Sequence, residues 1–322
     1  MISVALCTYN GENFLCKQLD SILSQSMPVD EIVIRDDCSS DSTCIILDEY
    51  SKLYPQINYK RNTSNLGFIK NFESALEDCR GDYIFFSDQD DIWECDKVKI
   101  SVQYLQKSGK FGAFSNGKLI DQYDNFLGDT LFSRIQIDSL IDRGILDKYD
   151  FETLCLNGNY VTGATIVITK EAKDILIPFN HHLYHDVWLS VKLSAMHKFG
   201  RIDKALISYR IHTNQECGLD MIPKDKCDFL NCLNGNGKCS YLIPQRRHSA
   251  SIIYLCKLNK QERKRLYITY RDIYWKNVTR NSLLSEALMF FITEIIVFLK
   301  TRRGIGGLYY IISKYFHNNI RI

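Results

Sequence analysis

Three carboxylates lie within four residues at Asp88, Asp90 and Asp91, directly after the apolar segment 83–86. Like charges at this spacing repel one another, and local folding does not require them. Hard divalent cations such as Mg²⁺ and Mn²⁺ take oxygen ligands and leave coordination positions open for the phosphates of a substrate. The three residues therefore indicate a cation-assisted diphosphate site. A solvated acidic turn that caps a following, aromatic-headed helix is the alternative, because short acidic motifs also arise without a metal.

The segments around this acidic run determine where its carboxylates lie. Periodicity predicts strands at 2–8, 31–35, 57–60 and 82–86, and helices at 13–25, 41–54 and 68–79. This alternation predicts an α/β fold, a Rossmann-like and mostly parallel central sheet with flanking helices. In such sheets, ligands bind beyond the carboxyl ends of the strands.

Three polar clusters follow predicted strands and are expected to meet at that edge of the sheet. They are Thr8-Tyr9-Asn10-Gly11, the segment 36–41, and the acidic run itself. Because the carboxyl ends of parallel strands share one edge, the three clusters together are a stronger signal of a binding site than any one of them.

The rest of the chain is less regular. Strands are predicted near 111–115, 164–168 and 205–209, and a helix near 186–197, whereas 128–149 resembles a loop that could serve as a lid. Beyond 215, helical segments are predicted at 249–258, 261–275, 283–300 and 308–316. We therefore expect a first domain at 1–215 and a mainly α-helical C-terminal region at 216–322.

The segment 283–299 is the most apolar in the chain, but Glu286 and Glu294 interrupt it. It is also shorter than the roughly 20 residues that span a bilayer. Basic residues surround it, namely Arg246, Arg247, Arg263, Lys264, Arg265, Arg271, Lys276, Arg280, Lys300, Arg302 and Arg303. They form either a solvated face or a peripheral contact with an anionic membrane surface.

Composition limits the class of protein and its compartment. The net charge of +2 over 322 residues gives no indication of a nucleic-acid partner. Cys217, Cys227, Cys232 and Cys239 have irregular gaps that do not match the usual zinc-site spacings, so scattered thiols are the preferred interpretation. The chain opens on a strand rather than a secretory signal, which favours a reduced, cytoplasmic setting.

The motifs resemble a known family. In order they are S-V-A-L-C-T-Y-N at 3–10, I-V-I-R-D-D-C-S-S-D at 32–41, N-L-G-F at 65–68, G-D-Y-I at 81–84, S-D-Q-D-D-I-W at 87–93, V-T-G-A-T at 161–165, H-D-V-W-L at 185–189 and Y-R-I-H-T-N at 209–214. They are similar to family 2 glycosyltransferases with the GT-A fold, and most similar to bacterial rhamnosyltransferases of surface polysaccharide synthesis. The resemblance covers about residues 1–215.

The resemblance implies roles for the residues that handle the nucleotide. A carboxylate such as Asp37 can accept the N3–H of a pyrimidine base, and the matching residue of the family does so. Asp41 is interpreted mainly as a helix cap. Further donor-binding positions are Thr8, Tyr9, Asn10, Asn65, Gly67 and Gln89. A plain turn before the third helix explains Asn65 and Gly67 nearly as well.

Asp88-Gln89-Asp90 resembles the D-x-D element of the family. By that analogy Asp90 binds Mn²⁺ or Mg²⁺, Asp88 reaches the ribose or the metal shell, and Asp91 orients the donor sugar. Because Asp91 is an additional carboxylate, the run can be aligned with the D-x-D element in two registers, and which carboxylate contacts the cation directly stays open. The resemblance further implies that His212 can complete the metal shell and that Arg210 can face the diphosphate, although a lone histidine is more often structural.

Asp186 is the candidate general base. It lies about a hundred residues beyond the acidic run, at the start of a predicted helix whose N-terminus is expected to keep it ionised. It matches the position of the family's catalytic carboxylate, although an N-capping role is the alternative. Around the sugar and acceptor we expect Trp93, Thr162, Gly163, His185 and Trp188.

The sequence thus predicts an inverting, metal-dependent glycosyltransferase. The expected donor is dTDP-L-rhamnose, with UDP-hexose or UDP-N-acetylhexosamine as the alternative. The expected acceptor is a lipid-linked oligosaccharide at the cytoplasmic face of the membrane. Two other classes stay open, a catalytically silent sugar-nucleotide-binding assembly protein and a nucleotidyltransferase that releases pyrophosphate.

Overall fold

The structure is a computed structural model, and it describes residues 1–213 except 136, 143 and 158, together with 215, 259, 261, 262 and 265. The described residues up to 215 lie in the first of two compact units into which the chain divides. The cluster Cys217, Cys227, Cys232 and Cys239, and nearly all of the predicted C-terminal helices and basic residues, lie outside the described residues. The domain boundary at 215 and the membrane contact therefore stay predictions.

Strands and helices alternate through most of the described range. The strands are β1 (Ile2–Thr8), β2 (Glu31–Asp36), β3 (Ile57–Arg61), β4 (Tyr83–Ser87), β5 (Ile92–Trp93), β6 (Gly112–Ile120), β7 (Phe126–Thr130), β8 (Ile166–Thr169) and β9 (Phe199–Arg210). The helices are α1 (Leu15–Leu23), α2 (Thr43–Leu53), α3 (Phe68–Asp78), α4 (Lys97–Ser108), α5 (Leu131–Arg134), α6 (Asp138–Asp142), α7 (Ile145–Asn157), α8 (Lys170–Leu176) and α9 (His185–Ala195), and Gly163–Thr165 forms a 3₁₀ turn.

The strands form one sheet in the order β3-β2-β1-β4-β8-β6-β9-β5, and β7 pairs with β6. The first four strands of this order are parallel. Strand β8 runs antiparallel between β4 and β6, whereas β6 and β9 are parallel. The α/β prediction is confirmed, but only half of the sheet is parallel and the other half is mixed.

The central strands are those with continuous apolar runs. Every residue of β1 is buried, and Val4, Leu6 and Phe85 have no exposed surface. Strands covered on both faces need this pattern rather than strict alternation. The sheet edge at the carboxyl ends of β1, β2 and β4 is consequently held by a rigid core.

The segment after the acidic run differs from the prediction. Ile92 and Trp93 form β5, which pairs with Ser208 and Ile207 of β9, and α4 begins only at Lys97. The predicted aromatic-headed helix is therefore wrong. The reason is tertiary, because Asp91 accepts a hydrogen bond from the backbone N–H of Arg210 and this bond fixes the segment alongside β9.

The predicted lid loop at 128–149 is also wrong. This range contains the end of β7, all of α5 and α6, and the start of α7. Its apolar residues Leu131, Phe132, Leu140 and Leu146 are buried. The two short helices have four and five residues, too few for a helical periodicity to stand out in the sequence.

Two expectations from composition can be examined in the described part of the chain. Its seven cysteines are all free thiols, which agrees with a reduced setting, whereas the interpretation of Cys217, Cys227, Cys232 and Cys239 as scattered thiols stays a prediction. Within the same residues, no helix has the length and apolar character needed to cross a membrane.

Candidate active site

The three polar clusters meet at one edge of the sheet, as predicted. The backbone N–H of Tyr9 donates to Oε1 of Gln89 at 2.8 Å, and Nε2 of Gln89 donates to the carbonyl of Tyr9 at 2.9 Å. The backbone N–H of Asp37 donates to the carbonyl of Thr8 at 2.8 Å. The ends of β1, β2 and β4 are thereby joined into one surface.

Asp36 is a buried residue that holds the chain segments of this surface together. It has no exposed area, and its carboxylate accepts hydrogen bonds from Oγ1 of Thr8 at 2.9 Å and from the backbone N–H of Ser39 at 2.9 Å. Asp41 accepts the backbone N–H of Thr43, the first residue of α2, at 3.0 Å, which agrees with its predicted role as a cap. These two carboxylates therefore organise the chain rather than face a ligand.

Asp37 organises the segment that precedes α3. Its Oδ1 accepts hydrogen bonds from Nδ2 of Asn62 and the backbone N–H of Leu66, and its Oδ2 accepts from the backbone N–H of Gly67, each at 2.8 Å. Gly67 has a φ of 79°, a conformation that glycine adopts without strain. Asn65 accepts the same Gly67 N–H at 3.0 Å. Because Oδ2 takes only one of these bonds, it keeps an accepting position for a ligand.

The acidic run separates its three carboxylates. Asp91 points inward and is 1% exposed, with Oδ1 bonded to the backbone N–H of Arg210 at 3.0 Å and Oδ2 without a partner. Asp88 is half-buried. Burial raises its pKa to about 7, and repulsion from Asp90 and Asp186 acts in the same direction. A bound cation would favour the ionised form of such a carboxylate.

Arg210 holds the acidic run from behind. Its side chain has no exposed area, its Nε donates to the carbonyl of Asp90 at 2.7 Å, and its Nη1 contacts the carboxylate of Asp124 at 2.5 Å. Its guanidinium also lies 4.6 Å from the ring of Phe14. Only Nη2 lacks a partner. These contacts favour a supporting role for Arg210 over the expected direct contact with a diphosphate.

Asp90 and His212 form the most metal-like pair of the site. Nε2 of His212 lies 2.9 Å from Oδ2 of Asp90, and its ring lies 4.8 Å from that of Phe14. Within the residues that the structure describes, no three His, Cys, Asp or Glu side chains already stand in a metal-holding arrangement. The pair can therefore supply two ligands, and Asp88 needs to turn toward it to supply a third.

Asp186 lies in the first turn of α9 and is half-buried. Its Oδ1 accepts the backbone N–H of Val187 at 2.6 Å, and its Oδ2 accepts from Nδ2 of Asn159 at 3.0 Å. Burial nevertheless raises its pKa to about 6, against the lowering effect of these two bonds. Desolvation therefore outweighs the bonds at the start of the helix, yet a carboxyl with a pKa of about 6 is still mainly ionised at neutral pH.

The side chain next to the candidate base is an aromatic packing element. His185 is buried, neither of its ring nitrogens has a partner, and its ring lies 4.3 Å from that of Phe72. Burial lowers its pKa to about 3, so it is neutral at physiological pH. Gly163 fits against it so closely that a Cβ there would lie 2.5 Å from Nε2.

The other predicted sugar-site residues lie at different depths. Trp93 is 4% exposed and Trp188 is 7% exposed, with the Trp188 indole donating to the carbonyl of Leu176 at 2.9 Å. Thr162 is half-buried, and its carbonyl accepts the Thr165 N–H at 3.0 Å. The two indoles therefore support the site from the core, whereas Thr162 retains a partly accessible surface.

Three residues of the site were not indicated by the sequence. Asn159 binds the candidate base, Asp124 anchors Arg210, and Lys97 lies fully buried below the acidic run. None belongs to a recognisable motif. Lys97 and Lys99 alternate with Val98 and Ile100 at the start of α4, a local pattern that predicts solvated charges and does not indicate the burial of Lys97.

Comparison with known proteins agrees with the fold. Residues 3–150 match the family model described as Glycosyl transferase family 2. The putative teichuronic acid biosynthesis glycosyltransferase TuaG of Bacillus subtilis is 26% identical over 216 residues, which cover 66% of this chain and 80% of the relative. The dTDP-rhamnosyl transferase RfbG of Shigella flexneri is 41% identical over 105 residues, which cover 31% of this chain and 36% of the relative.

Solved structures share the fold at low sequence identity. The S. aureus TarS 1–349 complex with UDP superimposes with a TM-score of 0.54 and 18% identity, covering 99% of this chain and 88% of that one. The mannosyltransferase PcManGT from Pyrobaculum calidifontis superimposes with a TM-score of 0.50 and 14% identity, covering 99% of this chain and 87% of that one. At these identities the similarity demonstrates the GT-A fold alone.

Proposed function

We propose that this chain, whose residues 3–150 match the model of glycosyl transferase family 2, is an inverting, metal-dependent transferase that moves a sugar from a nucleotide sugar to an acceptor hydroxyl. The observation that carries this proposal is that the start of α9 packs against the end of β4. The ring of His185, the residue before Asp186, lies 5.8 Å from the ring of Phe86, two residues before Asp88. The candidate base therefore lies close to the acidic run, and its charge contributes to the raised pKa of Asp88.

The donor is a nucleotide sugar, and we assign its base to Asp37. The carboxylate Oδ2 keeps an accepting position, although Asp37 is 3% exposed, and Tyr9, which follows the Thr8 that Asp37 contacts, is 46% exposed. A pyrimidine N3–H fits such an acceptor. Asn10, Asn65, Gly67 and Gln89 complete the edge that the nucleotide contacts.

We infer dTDP-L-rhamnose as the donor. The name of the Shigella flexneri relative supports this choice, because that protein is called a dTDP-rhamnosyl transferase and is 41% identical over 105 residues. A UDP-hexose or UDP-N-acetylhexosamine is the competing donor. It is supported by the solved complex of S. aureus TarS 1–349 with UDP-GlcNAc, which shares the fold at 16% identity and a TM-score of 0.56.

A divalent cation fits the residues present. Asp90 and His212 are already paired at 2.9 Å, and Asp88 carries a raised pKa that a nearby cation would lower. The carboxylate oxygens suit both Mn²⁺ and Mg²⁺, whereas an imidazole ligand favours Mn²⁺ over the oxygen-preferring Mg²⁺. When bound, such an ion acts as a Lewis acid toward the departing diphosphate. Which of the three acidic residues contact it directly belongs to this proposal.

The proposed step is a single displacement. Asp186 takes the proton from the acceptor hydroxyl, and the resulting oxygen attacks the anomeric carbon of the donor sugar. The new C–O bond forms as the bond to the nucleoside diphosphate breaks, so the anomeric configuration inverts. With a pKa of about 6, Asp186 is ionised and basic at neutral pH. Thr162 and Gly163 line the side from which the acceptor approaches.

The acceptor is proposed to be a lipid-linked oligosaccharide used for a bacterial surface polysaccharide. The relative from Bacillus subtilis is named for teichuronic acid biosynthesis, which supports this class of product. A peripheral contact of the basic C-terminal region with an anionic membrane surface would bring the enzyme to such an acceptor.

A thermal-shift series tests the proposal. The protein is heated with dTDP-rhamnose, UDP-glucose, UDP-N-acetylglucosamine or GDP-mannose, each with and without Mn²⁺. We expect stabilisation by dTDP-rhamnose that increases with the ion. Stabilisation by a UDP-sugar instead would show that dTDP-rhamnose is not the donor. Stabilisation that is the same with and without Mn²⁺ would refute the metal assignment. Binding without release of nucleoside diphosphate, even with acceptor glycolipid extract, would indicate a silent binding protein.

A further inference from the structure

Lys97 is buried in a way that its sequence position does not suggest. It is the first residue of α4 and has no exposed area, whereas Lys99, two positions further on, is exposed. A buried amine is costly unless neighbouring groups compensate it. Its persistence below the acidic run therefore calls for an explanation from its contacts.

Lys97 contacts a backbone carbonyl on one side and an aromatic ring on the other. Its Nζ donates to the carbonyl of Ala164 at 2.8 Å and lies 4.0 Å from the centre of the Trp93 ring. Burial lowers its pKa to about 7, although the attraction of Asp91 and Asp88 opposes that shift. Both the charged and the neutral amine carry an N–H for Ala164, so the link to this carbonyl holds in either form.

The carbonyl that Lys97 binds belongs to the turn that packs against the start of α9. Ala164 lies within the 3₁₀ turn Gly163–Thr165. A Cβ on Gly163 would lie 2.5 Å from Nε2 of His185, so this turn and that ring touch directly. His185 is followed by Asp186. A path of contacts therefore runs from Trp93, two residues beyond the acidic run, through Lys97 and the turn to the candidate base.

We propose that Lys97 is a positioning residue that fixes the turn Gly163–Thr165, and through it Asp186, relative to the acidic run. This inference rests on the proposed function, because it assigns the geometry of the same site. Lys97 acts through Ala164 and His185 and does not contact the substrate. The competing explanation is that Lys97 only fills space in the core. It predicts either an unchanged kcat or a parallel loss of nucleotide affinity in Lys97→Met.

The test is a double-mutant cycle between Lys97→Met and Asp186→Asn. Two quantities are measured for both single variants, the double variant and Lys99→Met. One is the kcat with the donor that stabilises the wild-type protein. The other is the affinity for the corresponding nucleoside diphosphate in the presence of Mn²⁺. We expect Lys97→Met to lower kcat at least tenfold while nucleotide affinity changes less than threefold. The double variant should be no slower than Asp186→Asn, because residues that act as a unit are not additive. Lys99→Met should match the wild type.

The opposite results overturn the inference. Unchanged kcat in Lys97→Met, a parallel loss of nucleotide affinity, or effects that multiply in the double variant would each show that Lys97 does not act through Asp186. If Lys97→Met does not fold, Lys97→Leu, which also lacks an N–H donor for Ala164, replaces it in the same cycle. Lys97→Gln retains such a donor and should recover part of the lost kcat, whereas a role limited to filling the core predicts no such recovery. A wild-type protein that neither binds nor turns over a nucleotide sugar would overturn the proposed function itself, and this inference with it.

Discussion

Nε2 of His212 lies 2.9 Å from Oδ2 of Asp90, although 122 positions separate the two residues. One follows β9 and the other follows β4, so the pair joins the last strand of the described fold to the acidic run. Imidazole and carboxylate groups are both ligands of divalent cations. The pairing is consistent with a preorganised half of a metal site.

The first prediction concerns this pair. Replacing His212 with alanine should weaken Mn²⁺ binding in the presence of nucleoside diphosphate at least tenfold, because one of the proposed ligands is lost. Calorimetric titration measures the change. His182, an exposed histidine, provides the control, and His182→Ala should leave the titration unchanged. Equal Mn²⁺ affinity in His212→Ala and wild type would exclude His212 from the metal shell.

The second prediction concerns the pH dependence of the base. Burial raises the pKa of Asp186 to about 6, and the ionised form is the active base, so kcat should rise with pH through about 6 and level off above 7. Nδ2 of Asn159 stabilises the ionised carboxylate, so its loss in Asn159→Ala raises the pKa further and should move the acidic limb to higher pH.

Profiles of kcat against pH check this prediction. Asn58→Ala, at an exposed position of β3, serves as the control and should leave the profile in place. An acidic limb that moves to lower pH in Asn159→Ala would contradict the assignment of Asp186 as the titrating base.

Much of this fold follows from local pattern. The bounds of β1 match the apolar run that predicts it, and the ends of β2 and β4 differ from prediction by one residue. The edge at which the three polar clusters meet also follows from the βαβ alternation. Asp186 at the start of a helix is likewise foreseeable from its sequence context.

The supporting contacts of the site could not be predicted in this way. The bond from Lys97 to Ala164 spans 67 positions, and that from Arg210 to Asp124 spans 86. Local periodicity predicts neither bond, because each depends on which strands become neighbours in the sheet. The two-residue strand β5 was missed for the same reason, since only its pairing with β9 defines it.

The third prediction concerns Asp37. The Asp37→Ala variant leaves the backbone N–H of Leu66 without its acceptor. The Gly67 N–H and Nδ2 of Asn62 each lose one of two acceptors and keep Asn65 and Asn71. We expect a loss of about 1–3 kcal/mol in the free energy of unfolding, the typical cost of unpaired buried donors. Binding of the nucleoside diphosphate should fall more steeply than in Asp48→Ala, an exposed position on α2. Urea unfolding and calorimetry measure the two effects, and unchanged nucleotide binding would remove Asp37 from the base-binding site.

The fourth prediction concerns the contact between Gly163 and His185. Adding a Cβ at Gly163 places it 2.5 Å from Nε2 of His185, so Gly163→Ala should destabilise the fold by about 1–3 kcal/mol, as overpacking does. His185→Ala removes the obstructing ring. The double variant should therefore lose less stability than the sum of the two single variants. Strictly additive losses in urea unfolding would show that the two residues do not press on each other.

The measurement that tests the central claim most directly is the rate of nucleoside diphosphate release by Asp186→Asn. Wild type and variant are compared at pH 7.5 with saturating donor, acceptor and Mn²⁺, and their nucleotide affinities are determined in parallel. We predict a loss of kcat of at least a hundredfold, within the contribution of general base catalysis of about 10²–10⁴, with nucleotide affinity within threefold of wild type. A variant that retains the wild-type kcat while binding nucleotide normally would contradict Asp186 as the base and, with it, the proposed mechanism.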